Sequence, residues 1–296
     1  VDYSVVPSTT HDITGTETYT GTAGEDVVNV AVDSTDGNDV SLLDGDDTLN
    51  LTNSYNINGT YDLGEGSNVI NVDGDHNKNN SIITGSGNDT FNAGYNGGDN
   101  FNDTLDINLG NGDNVVNLTG NDILDKADFT LGNGNDTVTL DSNATDYSDN
   151  NFAFGDGSDT LNIDGYDNGY SSFGDPRTNS FTFASGNDTV NISGDHNLSG
   201  ITLAGTSNEI NQTGTNNSSS ISFDGDAALN VSGAGAGNTI NLDGTGTSDA
   251  VTLSGSSSEW SINGSEYTHS PTGTVVNVTN VETVDYAGVV SDTEGS

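Results

Sequence analysis

The chain has 296 residues, of which 30% are hydrophobic, and it carries 45 Asp and Glu against 3 Lys and Arg, a formal net charge of -42. This balance excludes nucleic acid and anionic membrane surfaces as partners, because phosphate binding needs clustered cationic side chains, and no apolar run is long enough to insert into a bilayer. With no Cys there is no disulfide, thiolate metal site or cysteine nucleophile, and the absence of Met even at residue 1 reads as a processed product or a piece of a longer chain.

Low hydrophobicity with high net charge ordinarily indicates disorder. Here a repeat overrides that expectation, since stacked copies can bury a narrow apolar stripe that each contributes. Residues 1 to 20 are rich in Thr, Val and Tyr and read as an extended segment outside the repeat. From Gly24 a corner-plus-strand unit recurs as GEDVVNV, GNDVSLL and GDDTLNL, with acids at Asp26, Asp39 and Asp47. Beyond Asp47 the equivalent positions are Asn68, Asp89, Asn114, Asp136, Asp159, Asp188, Asn208, Ala227, Asn238 and Asp249.

The clearest copy is LGNGNDTVTL, residues 131 to 140. Gly132 and Gly134 permit a sharp corner. Thr137 to Leu140 then alternate polar and apolar, the period of a strand with one buried face. A second short strand precedes each full corner, with apolar pairs such as Ile107 and Leu109, Phe129 and Leu131, and Phe181 and Phe183. Asn recurs on the outer face of the strand that follows the corner, at Asn50, Asn71, Asn92, Asn117, Asn162, Asn191, Asn211, Asn230 and Asn241, as a stacked amide ladder.

These features predict an all-β fold, a parallel β-solenoid of about ten turns with two strands per turn. The expected boundaries are an extended segment over 1–20, the array over 21–253, and closing strands with a frayed tail over 254–296.

If the acids share one edge at the rung spacing of about 4.8 Å, neighbours repel by roughly 0.9 kcal/mol in water and roughly 3.5 kcal/mol at an effective dielectric near 20. A calcium ion with oxygen ligands at about 2.4 Å spans that spacing. Candidate metal ligands are therefore Asp26, Asp39, Asp47, Asp89, Asp136, Asp159 and Asp188, with Gly134 and Asn135 supplying corner carbonyls. The column should hold fewer ions where the acid is replaced.

GNGNDTVTL resembles the glycine- and aspartate-rich nonapeptide of the repeats-in-toxin family, G-G-x-G-x-D-x-apolar-x, and GSGNDTF and FGDGSDTLNI share its spacing. The ending VVNVTNVETVDYAGVV is similar to the strand that closes such arrays. The resemblance covers roughly residues 24 to 290 and implies a calcium-filled parallel β-roll, export from the cell, and roles in surface layers, adhesins, toxins and exoenzyme tails. Glycine corners in that family occupy both edges of the coil, whereas here they dominate one.

No motif singles out a nucleophile or an acid and base pair, so catalysis is not expected. The function expected is a secreted, calcium-binding structural protein that assembles with copies of itself, head to tail, into a filament, matrix or surface layer. The start VDYSVV resembles the closing VDYAGVV, as a joint between copies would require. The alternative is a calcium-dependent adhesin segment or the secretion and folding module of an exoprotein. A glycan ligand has no support in the sequence.

Overall fold

In a computed structural model the chain is a parallel β-solenoid with almost no helix. The residues described are 8–30, 32–52, 54–74, 76–95, 102–120, 124–141, 149–165, 179–195, 197–205, 207–224, 226–230, 237–246 and 249–287. The segment VDYSVV and the tail SDTEGS lie outside them.

Two sheets face each other, one of 13 strands and one of 14. Apart from a separate short pair, Asn102–Asp103 with Leu124–Asp125, and a hairpin near the end, successive strands belong alternately to the two sheets, and each pairs with the next strand of its own sheet. Thr137–Asp141 thus lies between Val115–Gly120 and Thr160–Ile163 in the first sheet, with Val138 beside Val116 and Leu161. In the second sheet Asp128–Gly132 lies between Asp106–Asn108 and Asn151–Phe154, with Phe129 beside Ile107 and Phe152. Because pairing is in register, residues of one kind form columns along the axis.

The core is narrow, because each short strand sends only about two side chains inward. Val138 and Leu140 face Phe129 and Leu131 across the coil, all at most 2% exposed. Inward aromatic rings stack where the coil is best packed. Phe129, Phe152 and Phe181 follow one another at centroid distances of 4.7 and 5.1 Å, and Phe154 lies 4.2 Å from Phe183.

The coil begins earlier than the repeat pattern suggests. Thr9–Ile13 pairs with Asp26–Val30, and Thr18–Thr20 pairs with Asp39–Ser41, so the segment expected outside the array supplies the first strand of each sheet. At the other end Val275–Thr279 and Thr283–Tyr286 extend both sheets in parallel. A hairpin of Trp260–Asn263 and Glu266–His269 then adds antiparallel strands to the second sheet alone. Trp260 is 6% exposed there, donates from Nε1 to the Ser254 carbonyl at 2.9 Å, and packs against His269.

The amide ladder expected on the outer face of the first sheet is present. Asn50 donates to Asn29, Asn71 to Asn50, Asn92 to Asn71 and Asn117 to Asn92, at 2.8 to 3.1 Å. Asn241 belongs elsewhere, since it lies on the second sheet and accepts from Asn277 at 2.9 Å.

Corner glycines are held by rung-to-rung contact. Gly132 has φ +81, and a Cβ there would lie 1.8 Å from the Gly110 carbonyl oxygen. Gly264, in the hairpin turn, has φ +65 but open space around it. Gly132→Ala should therefore cost more than about 3 kcal/mol, and Gly264→Ala only about 1 to 2 kcal/mol for the left-handed backbone. Denaturant unfolding of the two variants would check the difference.

Candidate metal centre

Counting back by twos from Leu140 through Val138 reaches Asp136, so the acid shares the inward face of its strand. Its side chain is 1% exposed. Asp136 Oδ1 accepts a hydrogen bond from the backbone N–H of Asn114, one rung earlier, at 2.8 Å. The Asp136 N–H in turn donates to Asp159 Oδ1 at 2.8 Å, and the Asp159 N–H to Asp188 Oδ1 at 3.1 Å. The same bond links Asp26 to Asp47, Asp47 to Asn68, Asn68 to Asp89, Asp89 to Asn114 and Asp188 to Asn208, at 2.7 to 3.0 Å. One oxygen of each inward side chain thus satisfies a buried backbone donor that the corner removes from the sheet ladder.

At Asn68 and Asn114 the second side-chain atom distinguishes Asn from Asp, whereas Asn208 Nδ2 is buried without a hydrogen-bond partner. Asn68 Nδ2 donates to the carbonyls of Gly64 and Gly66 at 3.3 and 3.2 Å. Asn114 Nδ2 donates to the carbonyls of Gly110 and Leu131 at 3.2 and 2.7 Å. Where the residue is Asp, an acceptor stands in place of that donor. The Oδ2 atoms of Asp47, Asp136, Asp159 and Asp188 are buried with no hydrogen-bond partner.

Two other acids are satisfied by hydroxyls. Asp89 Oδ2 accepts from Thr84 Oγ1 at 2.8 Å, because Thr84 takes the inward place held by Leu63 one rung earlier. Asp26 accepts from the Thr22 N–H and hydroxyl and from Thr9.

The acidities follow from these surroundings. Burial pushes Asp136 up to about 7, Asp47 to about 6 and Asp159 to about 6, despite the backbone donor each accepts. The carboxylate of Asp159 adds to the rise at Asp136, and that of Asp26 to the rise at Asp47. Burial also raises Asp89 and Asp188. At Asp26 burial is outweighed by the Thr22 and Thr9 bonds, and the carboxyl is lowered.

The glycine and asparagine candidates have different roles. Gly134 has φ +144, and a Cβ would lie 2.0 Å from the Gly112 carbonyl oxygen. Its own carbonyl points at the next rung, 1.7 Å from where a Cβ on Gly157 would be. Asn135 is exposed, and its Oδ1 accepts from the Ser158 N–H at 2.8 Å while its N–H donates to Asp113 Oδ1 at 2.7 Å. A second ladder therefore runs outside the corner, parallel to the buried one and opposite in direction. An open groove of about 440 Å³ follows the outer side of the corners, lined by Asn135, Ser158, Ser185, Asn187 and glycines.

Asp39 does not join the column. It opens a strand of the second sheet with its side chain exposed, and the inward residue beside it is Asn38, at the opposite edge. GNDV looks like the acid corner because both edges turn through Gly, Asn and Asp. Asn238 is likewise at the opposite edge. That edge carries a buried column of its own, all asparagine where it is best formed. The N–H of Asn197 donates to Asn217 Oδ1 and that of Asn217 to Asn238 Oδ1, while the three Nδ2 atoms donate to the carbonyls of Gly165, Gly194 and Gly214. Every amide there is paired, and no carboxylate intrudes.

Among the described residues no three His, Cys, Asp or Glu side chains gather as a metal cage. A cation at this edge would draw on one or two carboxylates and the corner carbonyls, a donor set of hard oxygens that suits calcium. The orphaned oxygens fit such an ion at Asp47, Asp136, Asp159 and Asp188, and do not call for one at Asp26 or Asp89. No protein-family model, curated protein or solved structure matches the chain.

A carboxyl raised in the folded state binds its proton more tightly folded than unfolded. Its stabilising share is complete below the unfolded value of about 4 and is lost as pH rises through about 6 to 7. Without divalent cations the melting temperature should therefore fall between pH 4 and pH 8, and Asp136→Asn should flatten that fall. Thr84→Val should steepen it by orphaning Asp89 Oδ2. Thermal unfolding in chelator across that range measures both effects.

Proposed function

We propose that this chain is a calcium-stabilised extracellular building block, a rod-like solenoid that assembles with copies of itself end to end. The observation that carries the reading is the set of buried Oδ2 atoms standing where asparagine presents a donor to glycine carbonyls. At neutral pH each such site is an acceptor among acceptors until a proton or a cation enters. Three of the four acids occupy consecutive rungs, Asp136, Asp159 and Asp188, where an ion between rungs would offset the repulsion between neighbours as well.

The structural role is supported by what the described chain consists of. Nearly all of it is coil and cap, with no separate catalytic domain among the described residues. Among the described residues, both ends of the first sheet present a strand paired on one side only, Thr9–Ile13 at the start and Thr283–Tyr286 at the finish. All pairing in that sheet is parallel, so the start of one copy can follow the finish of another in the same sense, a heterologous contact that propagates. The antiparallel hairpin closes the second sheet and confines the joint to the first. Sites that couple binding to burial of a single carboxylate suit the millimolar calcium outside cells, in keeping with a secreted protein.

Isothermal titration should show calcium binding that is lost in the quadruple substitution of Asp47, Asp136, Asp159 and Asp188 by Asn, with the variant keeping its strand circular dichroism in chelator. Wild type at pH 8 should lose strand signal in chelator and regain it with calcium. Equal calcium binding by wild type and the quadruple variant would overturn the calcium reading. Electron microscopy in calcium should show particles lengthened in multiples of the single coil, and Val284→Pro should stop the lengthening.

A further inference from the structure

The outward side chains are unevenly charged. On the eight consecutive first-sheet strands from Asp26–Val30 to Thr189–Ile192, the two central outward columns run from Val27 and Asn29 to Thr189 and Asn191 without an ionisable residue. One column is Thr and Val, the other Asn with Thr139. The other sides of the coil differ. The outer face of the second sheet carries Asp39, Asp62, Asp106 and Asp128, and both corner edges carry exposed acids such as Asp46, Asp113 and Asp164. On a molecule of charge -42 this is the longest carboxylate-free strip among the described residues; the second sheet is uncharged outside only over the four strands from Asn151–Phe154 to Ser218–Phe223.

We infer that the uncharged strip of the first sheet is the surface by which two copies of this chain pair side by side. Two polyanions can approach closely only where neither presents charge, and a centre depleted of charge within a polar rim is the usual anatomy of an interface. The strip also repeats at the rung spacing. A second copy matches that period column for column, which a partner without the repeat does not.

The strip spans seven rung intervals, about 34 Å, and is about 14 Å wide. Face-to-face contact therefore buries roughly 950 Å² in total, just below the range of stable specific pairs. A single pair is weak, and coils joined end to end bind far more firmly because each joint adds another strip to the same contact. Lateral pairing in this way deepens the assembly proposed above, and its strength at the filament level rests on that reading.

The test compares two variants of equal charge in saturating calcium. Val69→Glu with Val115→Glu places charge on the strip at outward positions outside the amide ladder, and Ser41→Glu with Thr130→Glu places the same charge on the second sheet. Sedimentation and particle width by electron microscopy should show pairs for wild type and for the second-sheet variant. The strip variant should remain single in width, with its self-affinity reduced at least tenfold and its length distribution unchanged. Should the strip variant lose its strand circular dichroism, Thr137→Glu with Thr160→Glu takes its place. The inference is overturned if strip variants pair like wild type, if the second-sheet variant loses pairing equally, or if wild type is always single in width. Failure of end-to-end assembly shows separately, as particles that pair but never lengthen.

Discussion

One hydrogen bond, repeated at both edges of the coil, governs this structure: a buried side-chain oxygen accepting the backbone N–H of the preceding rung. A parallel sheet satisfies its own backbone along the strands, but a corner breaks the ladder and leaves donors inside the molecule. Inward Asn and Asp side chains repair that break. The remaining atom of the same side chain then meets the glycine carbonyls of its corner, and its chemistry decides what else the corner needs. The amides of Asn68 and Asn114 are satisfied by corner carbonyls, although that of Asn208 finds no partner; a carboxylate beside Thr84 or Thr22 borrows a hydroxyl proton, and a carboxylate without such a neighbour stands as an acceptor with no donor.

This arrangement explains how a chain with a disorder-like composition holds a fold. The core supplies little per rung, only Val138 and Leu140 against Phe129 and Leu131 for example, yet every rung shares it with two neighbours. Glycines at the corners let backbones approach too closely for any side chain, and the polar columns use that closeness. Order comes from repetition of small contributions. The cost is the burial of carboxyls in a molecule already short of cations.

Much of the architecture could be read from period and spacing. Alternation in stretches such as Thr137 to Leu140 fixes strands, recurrence of the corner fixes the stacking, and the outer Asn ladder follows from register. The phase of the corners was harder to read. Asp39 and Asn238 sit in sequences that look like the acid corner, yet each belongs to the opposite edge, because the turn-forming residues of the two edges are the same. The inward direction of Asp136 was within reach of the period-two count from Val138, but a charged residue invites the assumption of a solvent-facing ligand. Thr84 carried no visible signal at all. It reads as one more polar strand residue until the structure sets its hydroxyl against Asp89.

The buried column mixes Asn and Asp at equivalent positions, as in Asn114 between Asp89 and Asp136. The two side chains share a shape, and their codons differ by a single base. Each rung can therefore exchange a buried carboxylate for a buried amide in one mutational step, which under the calcium reading proposed above would trade an ion-dependent corner for an ion-independent one. On that reading a lineage moving between calcium-rich and calcium-poor surroundings would adjust the coil rung by rung, because the exchange leaves the shape of the corner side chain unchanged.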